Sequence, residues 1–268
     1  MIRIAVCGAA GRMGKRILSL AAANTEKFHI AGAVEFKGHP LAGTPVSSFI
    51  EEYSGPATLL ASLSNCIKNT DVVIDFCAPQ ATVHHVEICR DAGKAIVIGT
   101  TGIDHTQRGL IIEYAEKIPI VMAPNMSVGV NLLFSLVRDV ARRLDADYDI
   151  EIVETHHRFK KDAPSGTALR LAEAAAEGRN VSLDEKSVYG RKGLVGERAP
   201  GEIGIHAVRS GSVVGEHTVS FANLGERIEL THRAESRDTF ALGALRAAEF
   251  LATQHSGIFD MQDVLGLK

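Results

Sequence analysis

The segment richest in reactive side chains is ETHHRFKKDAPSGTALRLAEAAAEG, which runs from Glu154 to Gly178. His156 and His157 supply imidazoles, the side chains that exchange protons near neutral pH. Lys160 adds a positive charge shortly after them. The Pro-Ser-Gly-Thr turn that ends at Thr167 opens a helix-like run, and a helix start binds anions through backbone N–H groups and hydroxyls. These residue types predict a pocket that holds a small acidic molecule and transfers a proton to it.

Two interpretations of this segment are open from its residues alone. In an extended backbone neighbouring side chains point in opposite directions, so His156, Arg158 and Lys160 could share one face while His157 points elsewhere. A histidine at the end of a strand is often structural, however, and Ser165 could simply cap the helix. We favour catalysis, because proton donors and an anion site coincide with a second motif that predicts a hydride carrier.

That second motif is GAAGRMG near the N-terminus, with glycines at Gly8, Gly11 and Gly14. Ala10 stands where the second glycine of a G-x-G-x-x-G pattern would be. The loop lies between a strand-like run and a helix-like run, the context in which a pyrophosphate binds to free helix N–H groups. Glu35 ends the next strand-like run, about 20 residues on, where an acidic side chain binds the ribose diol. We expect a dinucleotide site here.

The identity of the dinucleotide stays open. Glu35 favours a free ribose 2′-hydroxyl and repels a 2′-phosphate, whereas Arg12 and Lys37 could bind that phosphate. These cations could equally be solvated surface charges. We therefore expect the chain to use NADH or NADPH.

Two further loops follow apolar runs, GTTG from Gly99 to Gly102 and APNMS from Ala123 to Ser127. In open α/β sheets ligands bind at the carboxyl ends of parallel strands, so these loops are candidates for the nicotinamide half of the cofactor. Each could also be an ordinary turn.

The elements that position these residues change character along the chain. Val/Ile-rich runs alternate with helix-like segments up to about Val128, the pattern of a parallel sheet covered on both faces. Three extended runs between Gly201 and Ala234 suggest antiparallel strands, and Asp238 is a plausible N-cap for a closing helix. The fold class is therefore α/β, an N-terminal Rossmann-like dinucleotide-binding domain with a second α+β domain built on a mixed or antiparallel sheet. We expect the first domain to comprise residues 1–127 and 239–268 and the second to comprise residues 128–238.

Composition excludes several classes of function. The 268 residues are 46% hydrophobic with a formal net charge of -3, which gives no basic field for nucleic acid. No apolar run reaches the roughly 18 residues of a membrane span, and the N-terminus moves straight into a structural pattern. We expect a cytoplasmic protein without membrane contact. The four cysteines show no C-x-x-C spacing, so neither a metal site nor a disulfide framework is expected.

Taken together, these motifs resemble the 4-hydroxy-tetrahydrodipicolinate reductase family, also called dihydrodipicolinate reductases. The resemblance runs nearly end to end through GAAGRMG, GTTG, APNMSVGVN, the HHRFKKDAPSGTA element, GEIGIHAVRSGSVVGEHTVSFANLGERIELTHRA and GIFDMQDVLGL. It implies reduction of the dicarboxylate 4-hydroxy-tetrahydrodipicolinate to tetrahydrodipicolinate by NADH or NADPH, with loss of water. This step belongs to the diaminopimelate route to lysine. It also implies a homotetramer joined through the sheet of the second domain.

The resemblance assigns roles to individual residues. His156 would be the proton donor and acceptor and Lys160 the proton donor, while His157, Gly166 and Thr167 would bind the substrate. The cofactor would be lined by Gly8, Ala9, Ala10, Gly11, Arg12, Met13, Glu35, Gly99, Thr100, Thr101, Ala123, Pro124, Asn125 and Met126. One position departs from the family pattern, since Phe36 stands where an arginine often serves the 2′-phosphate. This departure argues against a strong preference for NADPH.

Two other functions compete with this reading. One is a semialdehyde dehydrogenase with Cys77 as its nucleophile, which thiol alkylation would inactivate. The other is a nucleotide-sensing module that binds a dinucleotide without turnover. The HHRFKKDAPSGT chemistry argues against a sensor, which needs no acid beside the hydride carrier.

Overall fold

The Val/Ile-rich runs form strands, and the segments between them form helices, in a computed structural model that describes residues 1–268. The strands are β1 (Ile2–Cys7), β2 (Phe28–Val34), β3 (Leu59–Leu60), β4 (Val72–Asp75), β5 (Ala95–Ile98), β6 (Pro119–Met122), β7 (Asp149–His156), β8 (Ser187–Tyr189), β9 (Ile203–Arg209), β10 (Gly215–Ala222), β11 (Arg227–Ala234) and β12 (Gly257–Phe259). The helices are α1 (Arg12–Ala22), α2 (Pro79–Ala92), α3 (His105–Ala115), α4 (Val128–Arg143), α5 (Gly166–Arg179), α6 (Leu183–Lys186), α7 (Asp238–Leu251) and α8 (Met261–Val264).

These elements form two compact units, Met1–Val128 with Arg237–Lys268 and Gly129–Ser236. The first unit contains a seven-stranded sheet in the order β12-β6-β5-β4-β1-β2-β3. Every pairing in it is parallel. Helices α1 and α7 contribute to the apolar cluster on one face, and α2 and α3 to the cluster on the other. This two-faced covering explains the nearly continuous apolar strands, as predicted.

The parallel arrangement brings three predicted loops to one edge of the sheet. The GAAGRMG loop follows β1, the GTTG loop follows β5 and the APNMS loop follows β6. Strand β1 lies between β4 and β2, where the strand order reverses, and such a switch point is the usual ligand crevice of an open α/β sheet.

The second unit contains a five-stranded sheet in the order β11-β10-β7-β9-β8. Strands β10 and β11 are antiparallel to their neighbours, as predicted. Strand β9 is parallel to both β7 and β8, so the prediction that all three late strands are antiparallel was wrong for this one. Strand β9 is parallel because no hairpin joins these strands: α5 and α6 lie between β7 and β8, and residues 190–202 lie between β8 and β9. The predicted fold class, with its mixed second sheet, is confirmed.

Helices α4 and α5 cover one face of the second sheet with alanines, leucines and valines. The strand residues that meet them alternate along the chain, as Ile150 and Ile152 do on β7. Residues between these positions, such as Val153, lie on the opposite face and are exposed.

The start of α7 differs from its prediction. Arg237 is the N-cap and Asp238 is the first helical residue, so Asp238 does not cap the helix. Its carboxylate instead accepts hydrogen bonds from Arg16 on α1, at 2.7 Å from Nε and 2.9 Å from Nη2. No helix of the chain is both long enough and apolar enough to cross a membrane.

Candidate active site

Strand β7 places a carboxylate and an imidazole side by side. Burial alternates along the strand, so Glu154 and His156 follow Ile150 and Ile152 on the helix-covered face. Glu154 is fully buried and His156 is 9% exposed. A charged side chain at such a depth requires partners, because an unpaired buried charge is strongly destabilising.

Glu154 has a full set of partners. Arg209, paired with His156 across β7 and β9, donates from Nη1 to Oε2 at 2.9 Å and from Nη2 to Oε1 at 3.0 Å. The backbone N–H of Ser165 donates to Oε1 at 3.0 Å. His156 Nδ1 lies 2.5 Å from Oε2. The carboxylate therefore joins β7, β9 and the turn before α5.

The pKa values of the pair shift through these contacts. Burial works to raise the pKa of Glu154, but the hydrogen bonds from Arg209, His156 and Ser165 outweigh it and hold the pKa below its usual range. Burial lowers the pKa of His156, and the charges of Lys160 and Arg209 act in the same direction. The hydrogen bond and charge of Glu154 oppose that lowering. Glu154 is therefore ionised and His156 is neutral over most of the physiological range.

A second histidine, His217 on β10, packs against the first. Its ring lies edge-on to that of His156, with the centroids 5.2 Å apart and the planes at 76°. Nε2 of His217 lies 3.3 Å from the hydroxyl oxygen of Ser165, and Nδ1 is buried without a hydrogen-bond partner. Burial, with the neighbouring His156, lowers the pKa of His217 to about 3. His217 is thus uncharged and packs against the ring of His156.

The chain turns after β7, which corrects one prediction about its side chains. The backbone N–H of Lys160 donates to the carbonyl of His157 at 3.1 Å, so the backbone is not extended there. His156, Arg158 and Lys160 consequently do not share a strand face. Lys160 Nζ instead pairs with exposed Asp162 at 2.9 Å. His157 has its Nδ1 buried without a hydrogen-bond partner.

Helix α5 begins where the sequence predicts an anion site. Ser165 is the N-cap, and its hydroxyl accepts a hydrogen bond from the N–H of Ala168 at 3.2 Å. Gly166 and Thr167 are the first two helical residues, and Gly166 is exposed with open space where a side chain would be. The Glu154 bond to Ser165 therefore fixes the helix start next to the His156 strand.

The glycine loop has the close backbone contacts of a phosphate cradle. Gly8 has a φ of +75°, and a Cβ there would lie 3.0 Å from the carbonyl oxygen of Phe76. A Cβ on Gly14 would lie only 2.1 Å from the carbonyl oxygen of Gly8. Gly11 is the N-cap of α1 and brings no capping side chain. The first N–H groups of α1 are thus left for an anion at the loop.

Glu35 lies beside this loop, at the end of β2. Its Oε1 accepts the backbone N–H of Ala10 at 3.0 Å, which connects the acidic residue to the glycine turn. A cavity of about 500 Å³ lies next to both, with Gly8, Gly11, Glu35 and Phe36 among its lining residues. Phe36 is 65% exposed at the rim.

The remaining predicted cofactor residues differ in what their side chains can reach. Ala9 and Met126 belong to the apolar core, so they offer a ligand only their backbone. Ala123 is buried, while Arg12, Thr101 and Pro124 are exposed and Met13 and Asn125 are partly buried.

Gly99 and Thr100 serve the packing of the sheet edge. A Cβ on Gly99 would lie 2.3 Å from the Phe76 ring. The Thr100 hydroxyl donates to the buried carboxylate of Asp75 at 3.0 Å. Asp75 also bonds to Thr82 at 2.8 Å and to His85 at 2.5 Å, so it ties β4, β5 and α2 together. The side chain of Thr100 is therefore engaged within the protein.

Cys77 borders the cavity but is a poor nucleophile. Burial raises the pKa of its thiol far above the ordinary value, and the charges of Asp75 and Glu35 add to the rise. A thiol attacks as its thiolate, so this environment does not favour the semialdehyde dehydrogenase reading. Cys7 lies within 4.8 Å of ligand atoms of Asp75 and His85, but the carboxylate there is already satisfied by protein hydrogen bonds.

Comparison with known proteins decides the family. Residues 2–126 match the family model of the dihydrodipicolinate reductase N-terminus, and residues 129–265 match that of its C-terminus. The chain belongs to the dihydrodipicolinate reductase family. Similar curated members are the 4-hydroxy-tetrahydrodipicolinate reductases of Syntrophus aciditrophicus and Hahella chejuensis, each 48% identical over 268 residues and covering 100% of both chains.

A solved structure of a dihydrodipicolinate reductase shares the fold. The dipicolinate-bound enzyme from Paenisporosarcina sp. TG-14 matches with a TM-score of 0.77 over 98% of each chain, at 24% identity. The family models and the curated relatives confirm the family resemblance drawn from the motifs.

Sequence reasoning missed three residues of the candidate site, namely Glu154, Arg209 and His217. Glu154 had a readable signal, because it lies two residues before His156 on a predicted strand and must share its face. Arg209 and His217 lie 53 and 61 residues after His156 in the sequence, so only strand pairing brings them near.

Proposed function

We propose that the chain reduces 4-hydroxy-tetrahydrodipicolinate to tetrahydrodipicolinate, with His156 and Lys160 transferring protons and the α5 start binding a substrate carboxylate. The reaction follows from family membership. The chain is an NAD(P)H-dependent oxidoreductase of the diaminopimelate route to lysine. The observation that carries the site is the convergence of a buried carboxylate, His156 and the α5 start around Ser165.

The α5 start suits one carboxylate of a dicarboxylate substrate. Gly166 and Thr167 present the first backbone N–H groups of a 14-residue helix, whose positive end favours an anion. Lys160 supplies a full positive charge nearby in the sequence, and charge-assisted hydrogen bonds to a carboxylate are stronger than neutral ones. Exposed Asp162, its present partner, can move away when the substrate carboxylate arrives. His157 adds a buried Nδ1 that needs a partner.

Proton transfer is the second task of these residues. Hydride addition to one carbon builds negative charge on its neighbour, and a placed acid must neutralise it. Lys160 is charged and so can donate, while His156 can exchange a proton through Nε2 because Nδ1 faces Glu154. General acid catalysis of this kind contributes about 100- to 10,000-fold to a rate.

The first unit fits a dinucleotide. Gly8 and Gly14 allow close backbone contacts that a Cβ would prevent, and Glu35 beside the cavity is the residue that would bind the ribose diol. When bound, the nicotinamide supplies the hydride. We propose that residues 8–13, Glu35, residues 99–101 and residues 123–126 line it. With Glu35 present and Phe36 in place of an arginine, NADH should serve at least as well as NADPH.

The second sheet and the cysteines bear on the assembly and the location of the protein. The family implies a homotetramer joined through the second sheet, and the face of that sheet opposite α4 and α5 carries exposed Val153 and Val208. All four cysteines are free, which is compatible with a reducing cytoplasm.

The test follows absorbance at 340 nm, the nicotinamide band, while the substrate forms in situ from pyruvate and aspartate semialdehyde. We expect substrate-dependent oxidation of both NADH and NADPH. Binding of either dinucleotide without substrate-dependent oxidation would reject the reductase and favour the sensing module.

Lys160→Ala separates proton transfer from cofactor binding. We expect kcat to fall by about 100-fold or more, with the NADH KM changed less than about threefold. Lys161→Ala is the matched control, because it removes the neighbouring exposed lysine. Equal losses in kcat and in cofactor affinity would contradict the proton-donor role.

A further inference from the structure

We infer that Glu154 is a positioning residue, which holds the His156 ring with its proton on Nδ1 and so reserves Nε2 for proton exchange with the substrate. The inference deepens the function proposed above and rests on it. It concerns a side chain that contacts His156 and not the substrate.

The hydrogen bonds of Glu154 determine which nitrogen of His156 carries the proton. Arg209 donates twice to the carboxylate and the Ser165 N–H donates once, so Glu154 is surrounded by donors. A carboxylate in such a site is ionised and can only accept. The 2.5 Å contact between Oε2 and Nδ1 therefore requires a proton on Nδ1. Neutral His156 then has its lone pair on Nε2.

A glycine keeps one side of Nε2 free of a side chain. Gly215 is the first residue of β10, and a Cβ there would lie 3.0 Å from Nε2 and 3.4 Å from Cδ2 of His156. Any larger residue would crowd the nitrogen. The edge-on ring of His217 limits rotation of the imidazole from another side. The ring is thus held on the Nδ1 side by a hydrogen bond and left uncrowded by side chains on the Nε2 side.

A structural role alone would explain less. A buried ion pair between Glu154 and Arg209 could simply join β7 to β9, and such pairs are weak sources of stability. Arg209 already has two further acceptors, the carbonyls of Val208 and Asp162. Only the bond to His156 connects this pair to a proton-transferring group. A carboxylate that orients a catalytic histidine is worth large factors in kcat in other enzymes.

The charges around His156 set the expected pH effect. Glu154 raises the pKa of His156, while burial and the charges of Lys160 and Arg209 lower it, and His217 faces the ring as a neutral group. Removing the Glu154 charge should therefore move the His156 limb of the pH–rate profile to lower pH. A group that acts only by packing would not move this limb.

The first experiment reads the tautomer in the unmodified protein. Nitrogen-15 NMR of histidine-labelled enzyme, assigned with His156→Asn, should show neutral His156 protonated at Nδ1. A proton on Nε2 would overturn the inference. This measurement needs neither substrate nor turnover, so it is independent of the proposed reaction. Failure of the reductase assay itself would reject the function and leave the tautomer result standing.

The second experiment compares Glu154→Gln with Glu151→Gln. Glu151 lies on the opposite face of β7 and also pairs with two arginines, Arg191 and Arg198, so Glu151→Gln matches the loss of arginine pairing on the same strand. We expect Glu154→Gln to lower kcat roughly 10- to 1,000-fold beyond Glu151→Gln, with NADH KM unchanged. The His156 limb of the pH–rate profile is identified by its absence in His156→Asn. This limb should move to lower pH in Glu154→Gln and stay in place in Glu151→Gln.

Thermal unfolding of both variants checks that they fold. A folded Glu154→Gln with the kcat and pH profile of Glu151→Gln would show a merely structural carboxylate and overturn the inference. If Glu154→Gln does not fold, the tautomer of the unmodified enzyme decides the question by itself.

Discussion

Side chains of the same type differ in their chemistry here because their surroundings differ. His156, His157 and His217 are all imidazoles, yet His156 meets a carboxylate, His157 has a buried nitrogen without a partner and His217 is uncharged and packs against the ring of His156. The type of residue gives the available chemistry, and the contact decides which part of it is used.

Phe36 offers a test of cofactor choice at this scale. Phe36→Arg places a guanidinium beside Glu35, where it can bind a 2′-phosphate in two hydrogen bonds. We expect the ratio of kcat/KM for NADPH to that for NADH to rise about tenfold or more. Phe36→Gln is the control, since it removes the ring without adding charge. An equal change in both variants would mean that the phenyl ring, and not the missing charge, sets the preference.

His217 should make stability depend on pH. Its folded pKa of about 3 is below the unfolded value near 6.5, so the unfolded chain binds the extra proton first as the pH falls. The neutral His217 therefore contributes fully to the free energy of unfolding above pH 6.5, and this contribution is lost as the pH falls towards 3. Within that range, each fall of one pH unit lowers the free energy of unfolding by about 1.4 kcal/mol.

The corresponding variant is His217→Gln, whose amide can still bond to Ser165 but does not titrate. Between pH 7 and pH 5 the unmodified protein should lose about 2 kcal/mol more free energy of unfolding than the variant. Urea unfolding at one protein concentration measures this difference. Parallel losses would show that His217 is protonated in the folded state.

At the scale of elements, the glycine motif can bind an anion only if the start of α1 lies close to the loop after β1. Helix α1 approaches the β1 loop so closely that Gly14 nearly touches the Gly8 carbonyl. The motif lacks a second glycine at Ala10, yet the backbone N–H of Ala10 is the group that bonds to Glu35. This contact uses the backbone, so an alanine can make it as well as a glycine.

Gly14→Ala tests this approach. The added methyl group would lie 2.1 Å from the Gly8 oxygen, so α1 must move away from the loop. We expect NADH to bind at least about tenfold more weakly, since the helix N–H groups move with it. Gly109→Ala is the control, because that glycine lies in α3 with open space around it and should gain up to about 1 kcal/mol of stability. An unchanged affinity of Gly14→Ala for NADH, measured by calorimetry, would contradict the role of the α1 start in binding the dinucleotide.

At the scale of the whole molecule, the second sheet has one face without helices. Its centre carries Val153 on β7, which is 41% exposed and is paired with Thr218 on β10 and His206 on β9. A mixed polar and apolar sheet face of this kind suits a self-complementary contact between identical chains.

Val153→Asp tests this contact. In the proposed homotetramer joined through this face, a carboxylate at position 153 would be buried and desolvated in the contact, so that assembly should dissociate at micromolar concentration. Analytical ultracentrifugation measures the mass. Ile112→Asp on α3, a site 45% exposed in the first unit, is the matched control and should keep the assembly. A four-chain mass for Val153→Asp would place the interface elsewhere.

The sequence by itself determined the family, the parallel sheet and the loops at its edge. These features depend on local patterns, since apolar periodicity and glycine spacing are set by neighbours along the chain. It also marked His156, Lys160 and the Gly166-Thr167 turn, whose residue types and order are specific enough to predict a proton donor beside an anion site.

Only the tertiary structure decided how these residues are held. The predicted shared face of His156 and Lys160 was wrong, because the chain turns directly after β7. Arg209 and His217 reach the site by strand pairing, whose register depends on distant parts of the chain. The burial of Glu154, which fixes its charge and the proton on His156, arises when α5 closes over the sheet. Burial and register are properties of the packed fold, so local sequence patterns do not contain them.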